Sequence, residues 1–281
     1  MTKLQVALDL PSASQALEMA KAIYQEVDII EVGTPLIKIE GLGIIQQIRS
    51  IVKDKLILAD MKTMDTGAWE AQLAFEAGAD IVTVCGVAPI KTVEGAIQEG
   101  KKQAKKVMVD LIGVADLLQK TRQLQQLDVD LVGIHSGIDE QKQGKTPLID
   151  LKLLAAQTKV DLVVAGGIRK DNITALMPYN PSIIVVGGAI TGATNPRLAA
   201  KAIKDEITQC HHQLAAGETS GAKNTNGTDK HPLVLSLKQA IQAVKTGLSP
   251  APFQTDRCQK SKLCCLAPQV CHICPFAART V

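Results

Sequence analysis

Leu56-Ile57-Leu58-Ala59-Asp60-Met61-Lys62-Thr63-Met64-Asp65 decides the architecture. Four apolar residues follow one another without alternation and stop on an acid and a lysine. A strand that is apolar at consecutive positions is covered on both faces, as in a parallel sheet flanked by helices. Charges at its C-terminal end lie where barrel enzymes keep their chemistry. In extended chain, residues two apart share a face, so Asp60 and Lys62 point the same way. Asp65 lies past the strand.

Working outward, seven similar runs rich in Val, Ile and Leu occupy 4–10, 27–32, 80–85, 107–112, 130–135, 161–165 and 183–186. Between and after the runs, apolar residues recur with helical period at 12–25, 41–52, 68–77, 89–103, 115–126, 148–157, 170–177 and 196–209. Ser12 and Asp171 are placed to cap helix starts, and Pro89 and Pro196 to open them. Strand alternating with helix eight times predicts an α/β fold, a (β/α)8 TIM barrel, with an open doubly wound sheet as the alternative. The barrel is assigned to residues 1–213. Residues 214–281 read as a flexible extension: a Gly/Ser/Thr/Asn-rich linker at 217–232, a short amphipathic helix at 233–248 and an aperiodic cysteine-rich tail.

Composition excludes several classes. Aromatic residues make up 2% of the chain, too few for base-stacking surfaces. A net charge of +3, evenly spread, does not suit duplex DNA, so no nucleic-acid partner is expected. No uncharged apolar run reaches the ~20 residues of a membrane span, and the N-terminus lacks the pattern of a secretory signal. Cys85 and Cys210 are the only cysteines before residue 258, which reads as a reduced, cytoplasmic body. Cys258, Cys264, Cys265, Cys271 and Cys274 crowd the tail. One C-x-x-C pair beside His272 falls short of the two pairs of a strong zinc signature, and the tail reads as a disordered extension or the product of a disrupted reading frame.

The strand ends carry Asp9, Glu31, Asp60 with Lys62, Cys85-Gly86, Asp110, His135, Gly166-Gly167 and Gly187-Gly188. So much charge at one mouth is costly unless the groups pair with each other, a metal or a ligand. Asp9 and Asp110 are candidate substrate-binding groups, and Asp9 is also a candidate catalytic one. Glycine pairs after strands seven and eight let backbone N–H groups approach an anion. Gly166, Gly167, Gly188 and Ala189 are therefore the candidate phosphate-binding residues.

Asp60-x-Lys62-x-x-Asp65 after the third strand resembles the signature of the orotidine-5'-monophosphate decarboxylase suprafamily. Within it, Glu31-Val32-Gly33-Thr34-Pro35-Leu36-Ile37-Lys38, the 59–65 stretch, His135-Ser136-Gly137-Ile138-Asp139 and Val186-Gly187-Gly188-Ala189-Ile190-Thr191 are similar to the 3-hexulose-6-phosphate synthase family. The similarity covers residues 3–210. The resemblance implies an aldol-type lyase that joins formaldehyde to ribulose 5-phosphate, giving D-arabino-hex-3-ulose 6-phosphate through a 1,2-enediolate. It implies Mg²⁺, with Mn²⁺ as a substitute, held by Glu31 and Asp60, and Lys62 facing the enediolate oxygens. It further implies a homodimer with shared sites, Asp65 coming from the other subunit. For such chemistry His135 is the best-placed general base, since imidazole titrates near neutral pH.

Two other readings compete. A related family, the 3-keto-L-gulonate-6-phosphate decarboxylases, reaches a similar enediolate by losing CO2. It carries an Arg three residues after its His, where this chain has Ile138. A degenerate barrel kept as a binding module is the third reading. Against it, Asp9, Glu31, Asp60, Lys62, Asp65 and His135 are all present.

Overall fold

The computed structural model describes residues 1–220, with side-chain surroundings through residue 215. The first half runs β1 (Lys3–Leu8), α1 (Ala13–Ile23), β2 (Ile29–Val32), α2 (Thr34–Glu40), α3 (Gly43–Ile51), β3 (Leu56–Thr63), α4 (Gly67–Glu76), β4 (Ile81–Cys85) and α5 (Ile90–Lys102). The second half runs β5 (Lys106–Asp110), α6 (Leu117–Gln126), β6 (Leu131–His135), α7 (Ile138–Gln141), α8 (Leu148–Ala155), β7 (Asp161–Ala165), α9 (Lys170–Leu176), β8 (Ile183–Val186), α10 (Gly188–Thr191) and α11 (Pro196–Ser220). Every strand pairs in parallel with its sequence neighbours, and β8 returns to β1. The sheet is therefore a closed (β/α)8 TIM barrel rather than an open one, and it has no edge strand to protect.

The period of two along each strand sorts the apolar runs into two cores. Leu4, Val6 and Leu8 of β1 join Ile30, Val32, Ile57, Val82 and Val107 beneath the helices. Ala7, Ile29, Leu58, Ile81, Met108, Leu131, Val163, Ile183 and Val185 fill the barrel itself. Both faces are dry, which is why the strands do not alternate in sequence. Above the interior plug the inward positions turn polar, with Glu31, Asp60, Thr83 and Asp110 all buried.

The opposite rim is tied by a repeated device. Asp28, Asp80 and Asp130 stand immediately before β2, β4 and β6, and each accepts the backbone N–H of a residue in the preceding strand: Leu4 at 2.8 Å, Ile57 at 3.0 Å and Val107 at 2.9 Å. Ser182 takes the equivalent place before β8 and donates to Asp161 instead. Each carboxylate thus satisfies a donor that would otherwise be left open at a strand start.

The expected strands and the longer helices are present within a few residues. Three short helices, α2, α7 and α10, were not expected, because seven or four residues are too few to display a period. Ser12 does cap α1, accepting from the Gln15 N–H. Asp171 is not a cap. It lies inside the first turn of α9, while Asn172 Oδ1 reaches back to the Arg169 N–H. The last helix passes both its expected end at 209 and the assigned boundary at 213, and it reaches Ser220. Ile203, Ile207 and Cys210 bury one face of it against the barrel. The readings of 233–248 and of the cysteine tail lie outside the described residues.

Candidate active site

β3 does not run straight into the mouth. Ala59 pairs with Val82 and Thr63 with Val84, so four steps along β3 answer two along β4. A bulge of this kind re-aims side chains. Within it Lys62 takes a left-handed conformation, φ +46°, which is uncommon for a residue other than glycine. Two bonds hold it there: the Lys62 N–H donates to Thr83 Oγ1 at 2.9 Å, and the Cys85 thiol donates to the Lys62 carbonyl at 3.3 Å. Asp60 and Lys62 do converge, as expected, but through the bulge rather than through regular extended chain.

Lys62 Nζ lies 3.0 and 2.8 Å from the two Asp60 oxygens and 3.1 Å from Asp110 Oδ2. Asp60 also accepts from Thr34 Oγ1 and Thr83 Oγ1, each at 2.7 Å. Asp110 accepts the Ile112 N–H at 2.9 Å on one oxygen, while the other lies 2.9 Å from His135 Nδ1. Since an ionised carboxylate only accepts, that last contact puts the imidazole proton on Nδ1 and leaves Nε2 as the basic nitrogen. Glu31, on the neighbouring strand, takes a 2.6 Å bond from Gln5 Nε2.

The charges shift one another. Burial alone would raise Asp110, yet the hydrogen bond and charge of His135, together with Lys62, hold it below the usual carboxylate range. Burial favours a neutral Lys62, but Asp60 and Asp110 outweigh it and raise the amine. Burial pushes the Glu31 carboxyl up to about 8, with Asp60 and Asp9 adding to the effect against Gln5. Desolvation also raises Asp9, and Asp60 acts in the same sense. Cys85 is raised by burial and by Asp110, so its thiol is no nucleophile near neutral pH.

The sequence-predicted residues separate into groups. Asp60, Lys62, Asp110 and His135 form one bonded network. Asp9 and Glu31 belong to the same electrostatic neighbourhood. Gly33 makes room for Asp9: a Cβ there would fall 2.0 Å from Asp9 Oδ1. Gly166 and Gly167 both have positive φ and follow β7, whose last pair with β8 is Ala165 with Val185, just before Gly187 and Gly188. Gly188 and Ala189 open α10, where the first N–H groups have no intrahelical acceptor.

Asp110, a candidate substrate-binding group, has both its oxygens engaged by Ile112, Lys62 and His135, and its side chain is 4% exposed. Asp65 is exposed, and its carboxylate accepts the N–H of the adjacent Thr66 rather than joining the network. Sequence reasoning missed Thr34, Thr83 and Gln5. The first two look like ordinary β-formers. Gln5 did leave a signal, as the one polar residue inside the apolar run of β1.

No group of three or more His, Cys, Asp or Glu among the described residues is gathered closely enough to hold a metal ion. Mg²⁺, however, is commonly held by one or two carboxylates plus water and substrate oxygens. Glu31 and Asp60 fit that pattern. They are buried acids whose mutual repulsion a dication would relieve, and beside them the Gln5 Oε1 is a buried acceptor with no partner.

Residues 2–203 match the family model described as Orotidine 5'-phosphate decarboxylase / HUMPS family. The chain is 43% identical over 205 residues to the 3-hexulose-6-phosphate synthase of Mycobacterium gastri, covering 73% of this chain and 99% of that one. The chain belongs to the 3-hexulose-6-phosphate synthases of this family. A solved synthase from Salmonella typhimurium superposes with a TM-score of 0.73 at 38% identity, covering 75% of this chain and 100% of that one. A 3-keto-L-gulonate-6-phosphate decarboxylase from Vibrio cholerae O1 biovar El Tor str. N16961 shares the fold at a lower 27% identity, with a TM-score of 0.68, covering 74% of this chain and 98% of that one. The family-model match spans all eight strands and hence the positions of the bonded network. No helix among the described residues is long and apolar enough to cross a membrane.

Proposed function

We propose that the protein condenses formaldehyde with D-ribulose 5-phosphate to give D-arabino-hex-3-ulose 6-phosphate, through a 1,2-enediolate. One observation carries the mechanism: a lysine and a histidine converge on the same buried carboxylate oxygen at the strand ends, at 3.1 and 2.9 Å. The names of the relatives support the same reaction.

Removing a C1 proton of a 2-ketose leaves one negative charge on the C2 oxygen, next to the C1 hydroxyl with which it can share a proton. His135 Nε2 takes that proton, because Asp110 holds Nδ1 protonated and the ring in place. Lys62, kept charged by Asp60 and Asp110, faces the growing charge on oxygen. A Mg²⁺ or Mn²⁺ held by Glu31 and Asp60 would supply further neutralisation at the enediolate oxygens. The enediolate C1 then attacks the formaldehyde carbon, and the new alkoxide takes up a proton. Asp9 orients substrate hydroxyls at the rim, while Gly166, Gly167, Gly188 and Ala189 offer backbone N–H groups to the phosphate. Asp65, exposed on its own subunit, reaches the site of a second copy in a homodimer.

Ile138 is 67% exposed at the first turn of α7, at the position where the decarboxylase resemblance calls for an arginine. This favours the synthase over the decarboxylase. The purified protein should consume ribulose 5-phosphate and formaldehyde in equal amounts, and should release no CO2 from 3-keto-L-gulonate 6-phosphate. A chelator should abolish turnover and Mg²⁺ or Mn²⁺ restore it. Loss of ribulose 5-phosphate at the same rate with and without formaldehyde would contradict the proposal.

A further inference from the structure

Gln5 has no solvent exposure and sits in the barrel interior, where the register sets it between Ile29 of β2 and Val185 of β8. Both neighbours belong to the apolar plug. An amide in such surroundings costs roughly 1–3 kcal/mol unless its hydrogen bonds are made. Only one of its two polar atoms is paired. Its Nε2 donates to Glu31 Oε2 at 2.6 Å, while Oε1 is buried with no partner. Ala7, the next inward residue of β1, pairs with Glu31 and is small enough to let the amide pass. A leucine or methionine at position 5 would fill the plug without an unmet amide oxygen, but would take away the hydrogen bond to Glu31 Oε2.

We propose that Gln5 is a positioning residue for a divalent cation at Glu31 and Asp60. It fixes the Glu31 carboxylate through Nε2 and leaves Oε1 open for a water of the cation's hydration shell. The inference rests on the metal part of the proposed function. Partners behind a ligand orient it, and their loss typically weakens metal affinity about 10–100-fold. The same placement explains why a costly amide is found in a plug otherwise built from apolar side chains.

The test uses Mn²⁺ alone, without substrate, on the full chain. Free Mn²⁺ is titrated by electron paramagnetic resonance against the parent, Gln5→Met and Gln5→Asn. In parallel, each protein's rise in melting temperature with Mn²⁺ is read against its own metal-free value, so that any change in intrinsic stability cancels. Methionine keeps the length but makes no such bond, and asparagine keeps the amide but is one methylene too short. Both should bind Mn²⁺ about 10–100-fold more weakly than the parent while keeping its circular dichroism spectrum. A folded variant that binds within about threefold of the parent overturns the role of Gln5 and leaves the metal site standing. Failure of both variants to fold also overturns it, by making Gln5 a residue of the fold. A folded parent that binds no Mn²⁺, yet turns over ribulose 5-phosphate with formaldehyde, overturns the metal site together with this inference.

Discussion

His135 and Lys62 meet on one atom: Nδ1 of the first and Nζ of the second lie 2.9 and 3.1 Å from Oδ2 of Asp110. Asp110 is therefore the hinge of the network, although it is the most enclosed of its members. Asp110→Asn would present an amide where two donors now converge, freeing the imidazole to take the other tautomer. We expect kcat to fall by about 10²-fold or more, with a smaller change in KM, because the loss falls on the orientation and protonation of His135. Steady-state kinetics on a variant with a native circular dichroism spectrum checks this.

The rim opposite the site predicts an acid-sensitive contribution to stability. Asp80 is engaged by Lys105, by the Ile57 N–H and by Arg49, and although burial acts to raise it, these partners hold its carboxyl below the usual range. A carboxyl depressed in the folded state stabilises it above the unfolded pKa of about 3.9, and the stabilisation is lost as pH falls through the lower folded value. Asp80→Asn should cost about 1–3 kcal/mol at pH 7, and the gap should close in the most acidic solutions. Urea melts of both proteins across the acid range measure it. A gap independent of pH would assign the effect to packing instead.

The exposed position of Asp65 leads to a test of the shared site. Lys62→Ala and Asp65→Ala should each be inactive alone. In a mixed dimer, one mouth would carry both lesions and the other neither. Random exchange makes about half of the dimers mixed, so about a quarter of parental activity should return on mixing. Mass measurement confirms that exchange took place. No recovery after confirmed exchange would place Asp65 outside the partner's chemistry.

The helix Pro196–Ser220 sets where the chain can be shortened. Ending it after residue 202 removes Ile203, Ile207 and Cys210, all buried. At about 1.5–3 kcal/mol for each large apolar side chain, that loss is comparable to a whole domain's stability of about 5–15 kcal/mol. The shorter protein should be insoluble or melt at much lower temperature. Ending the chain after residue 222 should leave both melting temperature and activity near those of the full chain.

Much of the barrel was legible because strands dry on both faces must be apolar throughout, as 56–59 and 183–186 are, and because barrel chemistry follows strand ends. That placed Asp60, Lys62 and His135 in one neighbourhood. The bulge was not legible, since nothing in Met61-Lys62-Thr63 marks a left-handed residue when the usual marker, glycine, is absent. Thr34 and Thr83 were hidden for a different reason: a threonine in or beside a strand satisfies β-propensity whether or not its hydroxyl has work. The bonds of Asp110 to Lys62 and His135 were not legible, because a strand-end acid looks the same whether or not it holds a histidine. Asp171 was assigned to a cap because the first turn and the cap attract the same residue type.

In the proposed mechanism His135 creates an enediolate from ribulose 5-phosphate before a carbon–carbon bond forms. Proton exchange at C1 reports that step alone. In D2O with Mg²⁺ and no formaldehyde, the parent protein should replace one C1 proton of ribulose 5-phosphate by deuterium, seen by proton nuclear magnetic resonance, and His135→Asn should not. A parent that condenses formaldehyde yet exchanges no C1 proton, or a His135→Asn protein that exchanges at the parental rate, would contradict the account.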